Sequence, residues 1–299
     1  MSTSDRRTDL IALVVAVAAV SLSGPMMTAT DAPALGIAFW RNALGAVVTL
    51  PFVFRHRKTL RGLTRRQWLA MASAGILLGL HFATWIPSLR YTSIAASTAL
   101  VATQVVWAAI LAFMAGHRAP RVEWIGIGIS LLGVVVLTGI DISLTPRALI
   151  GDVLALLGAM GSAAYMTVGQ RVRPALPLAA YTAVVYAASA ITLGLICLGG
   201  SVPLTGYSAH AWLLIVAVTA VAQFGGHSLL NMALRSFSAT AVSIAILCEM
   251  PGSTLVGWVW PGQTPPWALL PAAVLIVGGI VLVLRASRPA TIDVDAATP

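Results

Sequence analysis

Ten apolar runs follow one another along this chain: 10 to 28, 35 to 54, 68 to 88, 93 to 115, 123 to 140, 151 to 170, 178 to 198, 211 to 233, 239 to 260 and 266 to 285. Each has roughly the 20 residues that an α-helix needs to cross a hydrocarbon core. Lipid offers no partner to a free N–H or C=O, so such runs must satisfy their backbones internally, as helices do. The connections are short, none above about 13 residues, which leaves no room for a soluble domain on either face. The expected fold is therefore an all-α integral membrane protein of ten transmembrane helices. Composition agrees: 59% of residues are hydrophobic and 9% charged, against roughly 25% charged in soluble domains. The net charge of +9 does not point to nucleic acid, because the basic residues cluster between the apolar runs, where they set topology. Cys197 and Cys248 both lie inside apolar runs without metal-ligand spacing, so neither a disulfide framework nor a metal site is implied.

The chain is written twice. Residues 89 to 137 set against 234 to 282 without a gap pair Leu89 with Leu234, Arg90 with Arg235, Ser93 with Ser238 and Ala96 with Ala241. In the same register Gln104 falls on Glu249, Pro120 on Pro265, Gly133 on Gly278 and Leu137 on Leu282. Nearer the start of each half the offset is close to 143, with Asp9, Ala12 and Leu13 answered by Asp152, Ala155 and Leu156. Chance accounts easily for Ala and Leu pairs, less easily for Arg, Pro and Gly. Five spans per half is an odd number, so the second half enters the bilayer upside down relative to the first. The expected units are residues 8–140 and 151–285, with 286–299 a disordered tail.

Lys and Arg in the flanks divide fifteen to two if the N-terminus is inside, with only Arg90 and Arg147 on the outer face. That bias places both termini and the tail in the cytoplasm. Arg6-Arg7 ahead of the first run and small residues near Ala32 have the layout of a secretory signal peptide, but Pro25 and nine further spans favour a first transmembrane helix. Trp68, Trp124, Trp212, Trp258, Trp260 and Trp267 fall near run ends, as interfacial anchors do.

Ionisable groups within the hydrocarbon are expensive and are functional candidates by default. Glu249 is the sharpest, about 10 residues into the ninth run and so near the midplane at the helical rise. It is placed to contact a cationic or amine-bearing substrate or to exchange a proton with it; the alternative is a protonated Glu that satisfies the backbone broken by Pro251. Arg41 lies about six residues inside the second run, where its stem either snorkels to the interface or its head pairs with a substrate carboxylate or with Glu249. His81 and His227 occupy near-equivalent places in the third and eighth runs, either relaying protons or bonding a neighbour. Asn231 is four residues from His227 and so on the same helical face, with Gln223 in the same run. Gln104 is the neutral counterpart of Glu249. Trp85, Trp107, Phe82, Tyr165, Tyr181 and Tyr186 are deep aromatics that either line a cavity or pack between helices. Gly75 and Gly79, Gly158 and Ser162, and Gly128 with Gly133 have the spacing of close helix contacts, and Gly24-Pro25 suggests a hinge. No HExxH, GxSxG or Walker loop is present, so neither an enzyme nor an ATP-driven pump is indicated.

Several of these stretches resemble the EamA family of the drug/metabolite transporter superfamily. They are Phe39-Trp40-Arg41-Asn42-Ala43-Leu44, Leu89-Arg90-Tyr91-Thr92 and Gly126 to Gly139 in the first half. In the second half they are Ala233-Leu234-Arg235, Glu249-Met250-Pro251, Gly257-Trp258 and Pro265 with Gly278-Gly279. The chain departs from the family's usual pattern at Gln104-Val105-Val106, where a Pro is common in the fourth span, and at His117-Arg118 and Gly262-Gln263, where a Gly-Glu pair is common. The resemblance implies two inverted five-helix repeats and a secondary transporter of the inner membrane, moving a small metabolite, an amino acid, a related compound or a drug, with export favoured. The deep polar residues Glu249, His81, Trp85, Gln104, His227, Asn231 and Arg41 are the substrate-binding or coupling candidates, and the third, fourth, eighth and ninth spans the expected cavity lining. Lipid and a small-molecule substrate are the expected partners, with no cofactor; proton coupling is compatible with Glu249, and the coupling ion stays open. The competing readings are a passive facilitator of the same fold and a lipid-modifying membrane enzyme, the latter calling for catalytic groups clustered at one interface.

Overall fold

A computed structural model describes residues 3–92, 94–139, 145–260 and 264–286. Ten helices are long and apolar enough to span a bilayer: α1 Arg7–Met27, α2 Ala34–Arg55, α3 Arg65–Tyr91, α4 Ala96–Met114, α5 Arg121–Thr138, α6 Pro146–Val172, α7 Leu178–Gly199, α8 Ala209–Ala233, α9 Ala239–Val259 and α10 Leu269–Ala286. Of the tail expected at 286–299, Ala286 is the last residue of α10 and the remainder lies outside the described residues.

Where the helices outrun the apolar pattern, a polar cap is the reason. Thr64 forms a capping box with Gln67, so α3 begins three residues before the apolar run at Trp68. Thr145 accepts from the amide of Ala148 at 3.3 Å, and Pro146 stands in the first turn, which starts α6 five residues early. Both helices reach 27 residues, about 40 Å at the helical rise, enough to cross the core at a tilt.

The helices pair as a two-fold repeat requires. α3 lies along α6 as α1 lies along α8; α7 meets α3 as α2 meets α8; α4 touches α6 as α9 touches α1. α2 packs on α7, α5 on α10 and α4 on α9, each helix against its own counterpart. Exchanging every helix for the one five places on returns the same set, and five crossings per half make the two repeats inverted. Packing between α6 and α9 has no comparable counterpart between α1 and α4 among the described residues.

Small residues set the tightest seams. A methyl group on Gly158 would run into the Trp85 backbone and Cβ, one on Gly79 into Thr192 and Ser189 of α7, and one on Gly133 into α10 at Ala272 and Ile276. Gly128, expected at such a seam, meets open space. The outer faces are apolar, with Val14, Val47, Ile76, Leu132, Leu195 and Leu213 exposed, a surface that only lipid covers favourably. Trp68, Trp124, Trp258, Trp260 and Trp267 are exposed near the helix ends.

Candidate substrate cavity

Three helices are interrupted, α4 and α9 near their middles and α1 in its last third. α1 breaks at Leu22, between Ser21 and Ser23. α4 breaks at Thr103, between Ala102 and Gln104, where the Thr103 hydroxyl turns back to the Leu100 carbonyl at 2.6 Å. α9 breaks at Leu247 and Cys248, and a new helix begins at Glu249. Pro251 explains the last: it cannot donate to Leu247, and it is tolerated in the first turn of the helix that follows. At the offset of 145 the α4 and α9 breaks coincide, so Gln104 and Glu249 each open the second half of a broken helix. Half-helix N-termini at mid-membrane depth carry partial positive charge, the arrangement on which transporters build binding sites.

Between the halves lies a cavity of about 1070 Å³. Arg41, His81, Trp85, Gln104, His227 and Glu249 all line it, so six of the seven sequence candidates converge on one space. Asn231 does not. It is fully buried behind the wall, accepting from the Tyr165 hydroxyl at 2.8 Å and donating to the His227 carbonyl at 2.8 Å. The lining is also wider than the four expected spans, since α1 contributes Val20, Ser23, Gly24, Pro25 and Met27, α2 Ala34 and Ile37 beside Arg41, and α6 Ser162 and Met166. Of the deep aromatics Trp85 and Phe82 face the cavity, whereas Tyr165, Tyr181 and Tyr186 are buried in the packing.

Arg41 does not snorkel. It is 1% exposed and held in place by α8: Nε donates to Gln223 Oε1 at 3.0 Å, Nη1 to the Ser23 hydroxyl at 3.4 Å, and the guanidinium lies 4.7 Å from the Phe82 ring centroid. Nη2 has no partner. Gln223 is fixed in turn, its amide nitrogen donating to Asn42 Oδ1 at 3.1 Å. Its carbonyl takes the Tyr186 hydroxyl at 3.1 Å and the Ser228 hydroxyl at 3.2 Å. Gln223 and Ser228 both belong to a π-helical segment, Thr219–Ser228. Gln223, Asn42 and Tyr186 were the supporting residues that sequence reasoning undervalued, although Asn42 next to Arg41 in an apolar run was a visible signal.

His81 and His227 stand on facing walls. His81 is bonded through Nδ1 to the Gly158 carbonyl at 2.9 Å and stacks on Trp85, rings 5.6 Å apart and 11° from parallel. His227 meets the Phe82 ring edge-on at 5.3 Å, and its Nδ1 is buried without a partner, as is Trp85 Nε1. Glu249 is half-buried, and among the described residues its carboxylate has neither an ion-pair nor a hydrogen-bond partner. Arg41 is its charged neighbour across the cavity, beyond ion-pair distance.

Among the described residues the cavity lining reaches the helix ends on one side. Its rim is made by the ends of α1, α3, α5 and α9, through Thr30, Arg90, Thr138 and Trp260. At the opposite end Gln170 Oε1 of α6 accepts from the Ala239 amide that begins α9, at 2.7 Å. Asp9 there is ion-paired with Arg235 at 2.9 Å. Arg173 is buried beside them and donates to the Leu176 carbonyl; burial and then the positive charge of Arg235 lower its guanidinium to about 10.

A family model described as the EamA-like transporter family matches residues 7–139 and, a second time, residues 149–285. The chain belongs to the EamA-like transporter family. Membership makes it a membrane transporter of the drug/metabolite type, and the two successive matches fall on the two five-helix halves. No curated protein matches this EamA-like transporter significantly in sequence. A protein of known crystal structure is similar in fold, with a TM-score of 0.76 at 18% identity, over 96% of this chain and 98% of the other.

Proposed function

We propose that this EamA-like transporter is a secondary exporter in the inner (plasma) membrane, with both termini cytoplasmic. Its substrate is a small metabolite bearing an amine and a carboxylate, an amino acid or a close relative, and it works by alternating access. The reading rests above all on two opposite charges, Arg41 and Glu249, that face one cavity and are not paired with each other. A buried charge without a partner is costly, so each calls for a complement that the substrate brings. The carboxylate meets the free Nη2 of Arg41, the ammonium meets Glu249, and the apolar remainder lies against Phe82, Trp85 and Met166. Glu249 carries the coupling proton, taking it up when the amine leaves. The fifteen-to-two division of Lys and Arg supports the orientation.

The test uses proteoliposomes loaded with a pH-sensitive dye and a panel of amino acids, amines and sugars, with the wild-type chain and Glu249→Gln. Proton movement driven by an amino acid, absent in the variant, is the expected result. Substrate uptake without proton movement, equal in both proteins, would overturn the coupling role, and a response confined to sugars would overturn the substrate class.

A further inference from the structure

The cavity is shut at one end and open at the other, and the repeat supplies the same two residue types at both. At the shut end Asp9, fully buried near the start of α1, accepts from Arg235 Nε at 3.2 Å, from Nη2 at 2.9 Å, and from the Ser236 hydroxyl. This joins α1 to the link between α8 and α9. The repeat answers Asp9 with Asp152 and Arg235 with Arg90. Their surroundings are built alike, since α6 lies along α3 as α1 lies along α8. Gly151 packs against Tyr91 and the Thr92 amide, so its neighbour Asp152 stands beside the end of α3 that carries Arg90.

The pairing nevertheless differs. Asp152 Oδ1 is buried with no hydrogen-bond partner, and Arg90 is exposed on the cavity rim, outside ion-pair distance of any carboxylate among the described residues. A buried carboxylate oxygen without a donor is unfavourable, and a guanidinium one helix end away is the donor it lacks. The helices around the two places differ in the same sense. At the latched end α6 and α9 are in contact, whereas among the described residues α1 and α4 show no comparable packing at the open end.

We infer that Asp9–Arg235 and Asp152–Arg90 are alternating latches: the first shuts the cytoplasmic end in the state described here, and the second forms when the first breaks and the outer rim closes. Forming one ion pair while breaking its counterpart keeps the two states close in free energy, so that neither is a trap. The inference rests on the alternating-access reading and needs no substrate for its test.

The measurement is the alkylation rate of a reporter, Thr138→Cys on the rim, by a membrane-impermeant maleimide. It uses the full chain in right-side-out vesicles with Cys197→Ala and Cys248→Ala. Arg235→Gln is expected to slow alkylation by about fivefold or more, the lower range for a coupling carried by one two-state element. Asp9→Asn, whose side chain is fully buried, is the second variant in case one of them folds poorly. Adding Asp152→Asn to Arg235→Gln should restore the fast rate, and exchanging the charges with Asp152→Arg and Arg90→Asp should leave the closed state attainable. Rates unchanged by Arg235→Gln and by Asp9→Asn in monodisperse protein would overturn the latch, as would a slow rate that Asp152→Asn fails to reverse. If the latch behaves as expected while no amine-bearing compound is moved, the substrate assignment fails and the latch stands.

Discussion

At the scale of single residues, the cavity is defined by which polar groups lack partners. Arg41 spends two of its nitrogens on Gln223 and Ser23 and keeps Nη2 free. Replacing it with Gln removes a charge-assisted hydrogen bond, so KM for a carboxylate-bearing substrate should rise by about tenfold or more. Esterified substrates, measured in the same uptake assay, should barely notice the change. Gln223→Leu should do similar harm without touching substrate, because it leaves Arg41 Nε and Asn42 Oδ1 unpaired; a thermal unfolding scan should show a loss of stability that Arg41→Gln alone does not approach. Glu249, Arg41, Gln104, Trp85 and both histidines were legible in the sequence because polarity inside an apolar run is expensive wherever it occurs. Asn231 keeps its place one turn beyond His227, whose carbonyl its amide reaches, but its side-chain oxygen takes the Tyr165 hydroxyl and the group stays in the packing behind the cavity.

At the scale of elements, the apolar pattern located all ten helices, and the errors lay at their ends. α3 and α6 start early because their caps are polar residues outside the hydrophobic runs. The breaks in α4 and α9 were half legible: Pro251 announced one, while the other depends on Thr103 bonding back to Leu100, which no residue count reveals. Pro251→Ala removes the cause of the α9 break: the Leu247 carbonyl, which now takes the Met250 amide at 3.2 Å, gains the regular helical donor at residue 251. The prediction is a more stable but slower carrier, with melting temperature up by a few degrees and turnover down, read by thermal scan and uptake rate on the same preparation. Helix seams give a contrasting pair. Gly158→Val should push α6 away from Trp85 and cost transport as well as yield of folded protein, whereas Gly128→Ala, with nothing near its added methyl, should be silent.

At the scale of the whole molecule, duplication is the organising fact. The coincidence of Arg90 with Arg235 and of Asp9 with Asp152 was visible in the sequence as repeat evidence. Their different pairing was not, because the symmetry of the sequence specifies two states equally and the folded chain occupies one of them. Lining by α1, by α6 and by the part of α2 other than Arg41 was likewise out of reach, since those walls are largely Gly, Pro, Ala, Ser, Met and aliphatic side chains that carry no signal of exposure to a cavity. Fused reporters at the two termini should both read cytoplasmic; a periplasmic reading at either would reverse the direction in which the described cavity faces.

The central claim is a carrier whose cavity opens alternately to the two sides, and counterflow tests it most directly. Proteoliposomes preloaded with an unlabelled amino acid are diluted into a trace of the same labelled compound with no ion gradient. The account predicts a transient overshoot of label inside, absent with Arg41→Gln at the same concentration. Label that only equilibrates, at a rate indifferent to the preload, would contradict it and describe an open pore.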